Sequence, residues 1–160
     1  MTRNKEVSRM TTRHSGASDE IHSLVGRIYE GDPFVITREE RDTFERVTWI
    51  DRAYPDPDPD GLPEDIVEGF HSLALLDAVA RFASPSAMRR PGIGYNYGLD
   101  RVRFTSPIRI GDRVRSRFEV TDVSRRGNGY ITRRHCELTV EGAGRPALVA
   151  DWLTLWLPEQ

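Results

Sequence analysis

Apolar positions divide this chain into two regimes. Between about Phe70 and Phe82 they recur at helical spacing, with Phe70, Leu73, Leu76, Val79 and Ala80 on one side. Ala74, Leu75 and Ala78 widen that side, so the pattern predicts a helix buried over most of its circumference. From Tyr95 onward the period shortens to two, the spacing of a strand with one face covered. Strands are predicted over Tyr95–Phe104, Arg113–Val123, Tyr130–Val140 and Ala147–Leu157. In the second, Val114, Phe118 and Val120 alternate with charged residues; in the third, Cys136, Leu138 and Val140 are in step. Gly127-Asn128-Gly129 and the Gly142–Gly144 stretch supply tight turns, so the last three strands form a meander. The final strand is apolar on both faces (Leu148, Val149, Trp152, Leu153, Leu155, Trp156), which fits a central or interface position. One long central helix wrapped by a curved antiparallel sheet is an α+β architecture.

Ahead of the helix the pattern is weaker. Residues 1–18 are polar without periodicity and read as a disordered tail, leaving 19–160 as a single domain large enough to bury a core. Ile21–Ile36 reads as a short helix or irregular lead-in that ends in a Phe34-Val35-Ile36 strand. Thr37-Arg38-Glu39-Glu40 is a capping box, predicting a helix through about Val47 with Phe44 and Val47 facing inward. Trp49–Pro63 is dense in prolines and aspartates, and the pattern predicts an acidic loop without regular structure.

Composition narrows the function classes. Hydrophobic residues make up 38% and charged residues 30%, and a net charge of -2 gives no reason to expect a nucleic-acid partner. Arginines nonetheless gather over Arg101–Arg117 and Arg125–Arg134. The single Cys136 excludes an internal disulfide and a cysteine-based metal cluster. His14, His22 and His135 lack metal-ligand spacing, so no metal is expected. No apolar run approaches the ~20 residues of a membrane span. The polar, basic start lacks a signal-peptide core, so a cytoplasmic location is expected. Neither a Gly-rich phosphate loop nor a Gly-x-Ser-x-Gly nucleophile motif is present.

Candidate chemistry collects around the helix start. Gly69 opens the helix, whose first N–H groups and dipole suit the partial negative charge of an acyl-thioester carbonyl. His71 lies in the first turn; it is a proton-transfer group, a core histidine satisfied by a backbone carbonyl, or a solvent-facing one, and its position favours the first. Asp51 and Asp56 can form an acid–base carboxylate pair, or simply cap turns and face solvent; the solvated reading is preferred for Asp56, Asp58 and Asp60, and the two are balanced for Asp51. Tyr54 lines a site or orients water. Asp77 has Arg81 four residues on and reads as half of a structural ion pair.

These stretches together resemble the MaoC-like family of hotdog-fold proteins, which includes the (R)-specific enoyl-CoA hydratases. The resemblance is carried by IVEGFHSLALL (Ile66–Leu76) and NYGLDRVRF (Asn96–Phe104), followed by Pro107 and Gly111-Asp112, and covers about Phe34 to Leu157. It implies an enoyl-CoA hydratase or 3-hydroxyacyl-thioester dehydratase, working without a cofactor beyond the coenzyme A of its substrate. It also implies a homodimer paired sheet edge to sheet edge, with higher oligomers or hetero-oligomers as variants, and a substrate tunnel near that interface. In the family, an Asp and a His in the loop before the helix move the proton, and a backbone N–H at the helix start stabilises the enolate oxygen. Gly69 falls at that oxyanion position and Asp51 at the Asp. Five residues beyond Asp51, where the family has His, stands Asp56; Ala53-Tyr54 replaces Asn-Pro. Glu68 takes the place of a frequent His before the Gly, and His71 follows Phe70. The catalytic candidates are therefore Asp51, His71, Asp56 and the Gly69 N–H. Tyr54, Asn96, Tyr97, Arg101 and Arg103 are the substrate-binding candidates, the arginines toward the coenzyme A phosphates. Two alternatives stand beside this reading: an acyl-CoA thioesterase, and a non-catalytic subunit of a heteromeric hydratase, which the missing loop His fits.

Overall fold

The computed structural model describes residues 19–54, 63–83 and 91–159; the tail at 1–18 and Asp56, Asp58 and Asp60 lie outside them. The predicted long strands are β4 (Gly92–Phe104), β6 (Arg113–Arg126), β7 (Gly129–Val140) and β8 (Leu148–Pro158). Two short strands, β1 (Ile28–Glu30) and β2 (Phe34–Val35), join them in an antiparallel sheet of order β1-β6-β7-β8-β4, with β2 also on β6. β3 (Ile66–Val67) and β5 (Ile108–Arg109) form a separate two-stranded ribbon. Residues 19–22 are helical, so the lead-in holds one helical turn and then β1 rather than a helix alone.

The meander is set by its turns. Arg126 pairs with Gly129 across the two-residue Gly127-Asn128 link, where Gly127 has φ 59°, the left-handed region glycine enters without strain. Alternation then puts Val114, Phe118, Cys136, Leu138, Leu148, Ala150 and Trp152 on one face, against Leu76, Val79 and Ala80 of the helix. As its two-faced apolar pattern suggests, β8 is interior, paired on both sides by β7 and β4. β4 is the edge, and it exposes Ile93, Tyr95, Tyr97, Leu99 and Phe104.

The helices depart from expectation in four ways. The capping box opens α1 (Arg38–Thr48) as predicted: Glu40 N–H donates to Thr37 Oγ1 (3.2 Å), and Thr37 N–H donates to Glu40 Oε2 (2.8 Å). Val47 does not face inward, however; it is 66% exposed, and α1 lies over the surface on Phe44. Second, the Trp49–Pro63 loop begins with a helical turn, α2 (Ile50–Ala53), because its prolines start only at Pro55. Third, the central helix is interrupted at Leu75, giving α3 (Gly69–Ala74) and α4 (Leu76–Ala83). Leu75 keeps helical dihedrals (φ -73°, ψ -15°), and its N–H donates to His71 O (3.2 Å). Nor is this helix buried most of the way round. Phe70 (71%) and Phe82 (77%) face outward, because the sheet of one chain covers only the Leu76–Val79–Ala80 side.

Candidate active site

The site is built where the β3–β5 ribbon delivers the chain into α3. Ile66 and Val67 pair with Arg109 and Ile108, which fixes Glu68 and Gly69 at the head of the helix. The Gly69 and Phe70 N–H groups have no partner within the helix, as at any helix start, whereas the His71 N–H donates to the Glu68 carbonyl (3.0 Å). A Cβ on residue 69 would stand 2.9 Å from the Phe104 ring, so glycine is required here by packing. The close approach at Gly69 is thus made, among the described residues, by Phe104.

His71, two residues on, is 6% exposed and stacks on Phe44 of α1 (ring centroids 4.5 Å apart, planes at 5°). Its Nδ1 is buried without a hydrogen-bond partner. Burial holds its pKa below the usual histidine value, against the opposing pull of Glu68 and Glu40, so the imidazole is neutral near pH 7 and free to accept a proton. His71 opens on a cleft of about 430 Å³. Apolar side chains of β2 and α4, among them Phe34, Val35, Val79 and Phe82, line most of it, with Asp32, Glu40 and Ser116 as further polar groups. Hydrogen bonds from the Thr37 backbone and hydroxyl keep Glu40 an anion. An apolar cleft with a few convergent polar groups and one desolvated titratable group is the usual form of a small-molecule site.

Behind His71 lies a charge cluster. Arg41 donates to Glu45 Oε1 (2.7 Å), Glu68 Oε1 (3.2 Å) and Asp42 Oδ1 (3.3 Å), so one guanidinium faces three carboxylates. Burial first, and the neighbouring Glu68 second, push Glu45 up to about 7. Glu68 Oε2 is buried without a hydrogen-bond partner, and a hydrogen bond between the Glu45 and Glu68 carboxyls contributes to the raised Glu45 value.

The remaining candidates scatter. Asp51 and Tyr54 are exposed on α2 and at its end, and Asp51 makes no hydrogen bond among the described residues; Asp56 lies outside them. Asn96 and Tyr97 share a second cleft with Phe70, Leu73 and Trp152 on the β4 flank of the helix, opposite His71, and Asn96 Oδ1 accepts from Trp152 Nε1 (3.1 Å). The fold therefore does not bring Asn96 and Tyr97 together with His71. Arg101 (φ 52°) is turned onto Asp151, donating from Nε at 2.8 Å, while Arg103 donates to the Val102 carbonyl. Asp151 also meets His135 Nδ1 (3.1 Å); burial alone would raise its pKa, and the Arg101 and His135 hydrogen bonds outweigh that and lower it. Because Ala150 and Trp152 face the helix, this network lies on the far face of the sheet. Asp77 and Arg81 pair at 3.8 Å, both partly exposed, as expected. Among the described residues there is no metal-ligating cluster, and no helix is long and apolar enough to cross a membrane.

Ser116, Glu45 and Arg41 escaped the sequence reading. Ser116 left one trace: it interrupts the apolar face Val114, Phe118, Val120. Glu45 and Arg41 left none, since their importance arises only from where α1 meets α3.

A helix held on one face of a six-stranded antiparallel sheet of this order defines the hotdog class, and solved structures agree. An (R)-hydratase from A. caviae involved in PHA biosynthesis superposes with TM-score 0.60 at 19% identity, covering 84% of this chain and 96% of that one. Residues 59–140 match the MaoC like domain. The 3-hydroxyacyl-thioester dehydratase Z of Mycobacterium tuberculosis is 32% identical over 134 residues, 78% of this chain and 85% of that protein. Nodulation protein N of Rhizobium leguminosarum bv. viciae is 42% identical over 91 residues, but the match spans only 56% of its length. The chain belongs to the MaoC-like domain family, as its motifs implied.

Proposed function

We propose that this protein is a hydro-lyase interconverting an enoyl thioester and a 3-hydroxyacyl thioester of coenzyme A, with His71 as its proton-transfer group. The observation that carries the reading is the buried, neutral His71, which lines an apolar cleft two residues from the helix start, with its Nδ1 unpartnered. In hydration, water oxygen bonds to the β-carbon while the His71 imidazole takes the water proton. The electron pair of the double bond moves through the α-carbon onto the thioester oxygen, and the N–H groups of Gly69 and Phe70 stabilise that charge. The imidazolium then returns a proton to the α-carbon, which restores the carbonyl. The similar dehydratase of Mycobacterium tuberculosis supports the reaction class. The exposed apolar edge of β4 supports a homodimer, since such an edge offers unpaired N–H and C=O groups to a second copy.

A second reading is favoured by the exposure of Asp51 and the absence of the loop His: a non-catalytic chain that completes a hetero-oligomer. Purified protein assayed against short, branched and aromatic enoyl-CoAs, with a thiol trap, separates the possibilities. Loss of enoyl absorbance without thiol release supports the hydro-lyase. Thiol release identifies a thioesterase. Silence throughout favours the non-catalytic subunit.

A further inference from the structure

Ser116 has no part in the chemistry above, yet its setting is unusual for a serine on an apolar strand face. It is 2% exposed, sits among Val114 and Phe118 on the helix-facing side of β6, and its Oγ has no hydrogen-bond partner. Leaving a buried hydroxyl unpaired costs about 1–3 kcal/mol. That cost suggests a partner arriving from outside the chain, and Ser116 lines the same cleft as His71. On one side the hydroxyl is covered by backbone that carries no side chain. Gly31 donates its N–H to the Ser116 carbonyl (3.0 Å), and a Cβ at residue 31 would stand 2.5 Å from Ser116 Oγ. Any other residue at 31 would close the space next to the hydroxyl. Apart from Asp32, Glu40, His71 and Ser116, the lining side chains are apolar, so the ligand is mainly hydrocarbon and carries few polar groups.

We infer that Ser116 is a specificity residue, and that the cleft takes acyl chains bearing an oxygen substituent, oxo or hydroxyl, on the hydrocarbon beyond the double bond. A hydroxyl both donates and accepts, so it can serve either substituent. The inference rests on the hydro-lyase reading of the His71 cleft and adds the class of acyl group.

The test compares medium-chain trans-enoyl-CoAs, unsubstituted and with an oxo group at each successive carbon past the double bond. At one position the oxo ester should exceed the unsubstituted ester in kcat/KM by about tenfold, the worth of one hydrogen bond. In Ser116→Ala and in Gly31→Ala that ratio should fall to about one; Gly31 has no left-handed dihedral, so the second change acts by steric cover alone. A ratio near one at every position in the wild type, or a preference that survives in Ser116→Ala, overturns the inference. Calorimetric binding of the saturated oxo and unsubstituted acyl-CoAs, to wild type and Ser116→Ala, reads the same discrimination without turnover. Equal affinities there overturn the inference as well, whereas discrimination without turnover upholds it and overturns only the hydro-lyase reading.

Discussion

His71 and Glu45 are the two residues whose protonation the fold has altered most usefully, and they move in opposite directions. For His71 the folded pKa is depressed below 6.5 by burial. A base must be neutral to accept a proton, so kcat/KM should hold through neutral pH and fall only on an acid limb below pH 6.5. A limb centred above that value contradicts the assignment. For Glu45 the folded pKa is about 7 against an ordinary 4.5. Between those values the folded protein keeps a proton that the unfolded chain has released, so its contribution to stability is lost as pH rises through that window. Glu45→Gln cannot titrate. The urea midpoint of the variant relative to wild type should therefore climb from pH 4.5 to about 7 and then stay level. A difference independent of pH would show that Glu45 and Glu68 do not share a proton.

Among the elements, the head of α3 and the strand β4 do the most for the site. Gly69 brings the helix start against Phe104, and an added methyl meets ring atoms at 2.9 Å. Gly69→Ala should destabilise by about 1–3 kcal/mol through overpacking. Phe104→Ala in the same chain should relieve most of that loss, a coupling that a double-mutant cycle measures directly. At the sheet edge, light scattering should find a dimer, and Leu99→Lys should convert it to a monomer by placing a charge on the exposed apolar edge. An unchanged mass in the variant rules out β4 as the contact. These elements also mark what the sequence made legible. The strands β6 and β7 could be read because one face of each is covered, which imposes a period of two that neighbouring residues cannot hide. The outward turn of Phe70 and Phe82 could not be read, because apolar spacing locates a helix face without saying how many sides one chain covers.

In the whole molecule, chemistry is divided between the two flanks of one helix. His71, Glu40 and Ser116 line a cleft beside β2, while Asn96 and Tyr97 line another beside β4, and the arginines Arg101 and Arg103 line neither. The family motif located Gly69 and the helix start correctly because they are local in the chain. The assembly of Arg41, Glu45 and Glu68 depends on α1 crossing to α3, a contact between residues 27 positions apart that no spacing rule encodes. Reversible hydration in the His71 cleft is tested by the rate of enoyl-CoA absorbance loss, with thiol release followed in parallel, for the wild type and for His71→Asn. Absorbance should be lost without thiol in the wild type, and at a rate about 10²–10⁴-fold lower in the variant, the usual worth of a proton-transfer group. Equal rates in the two proteins, or thiol release in place of hydration, would contradict it.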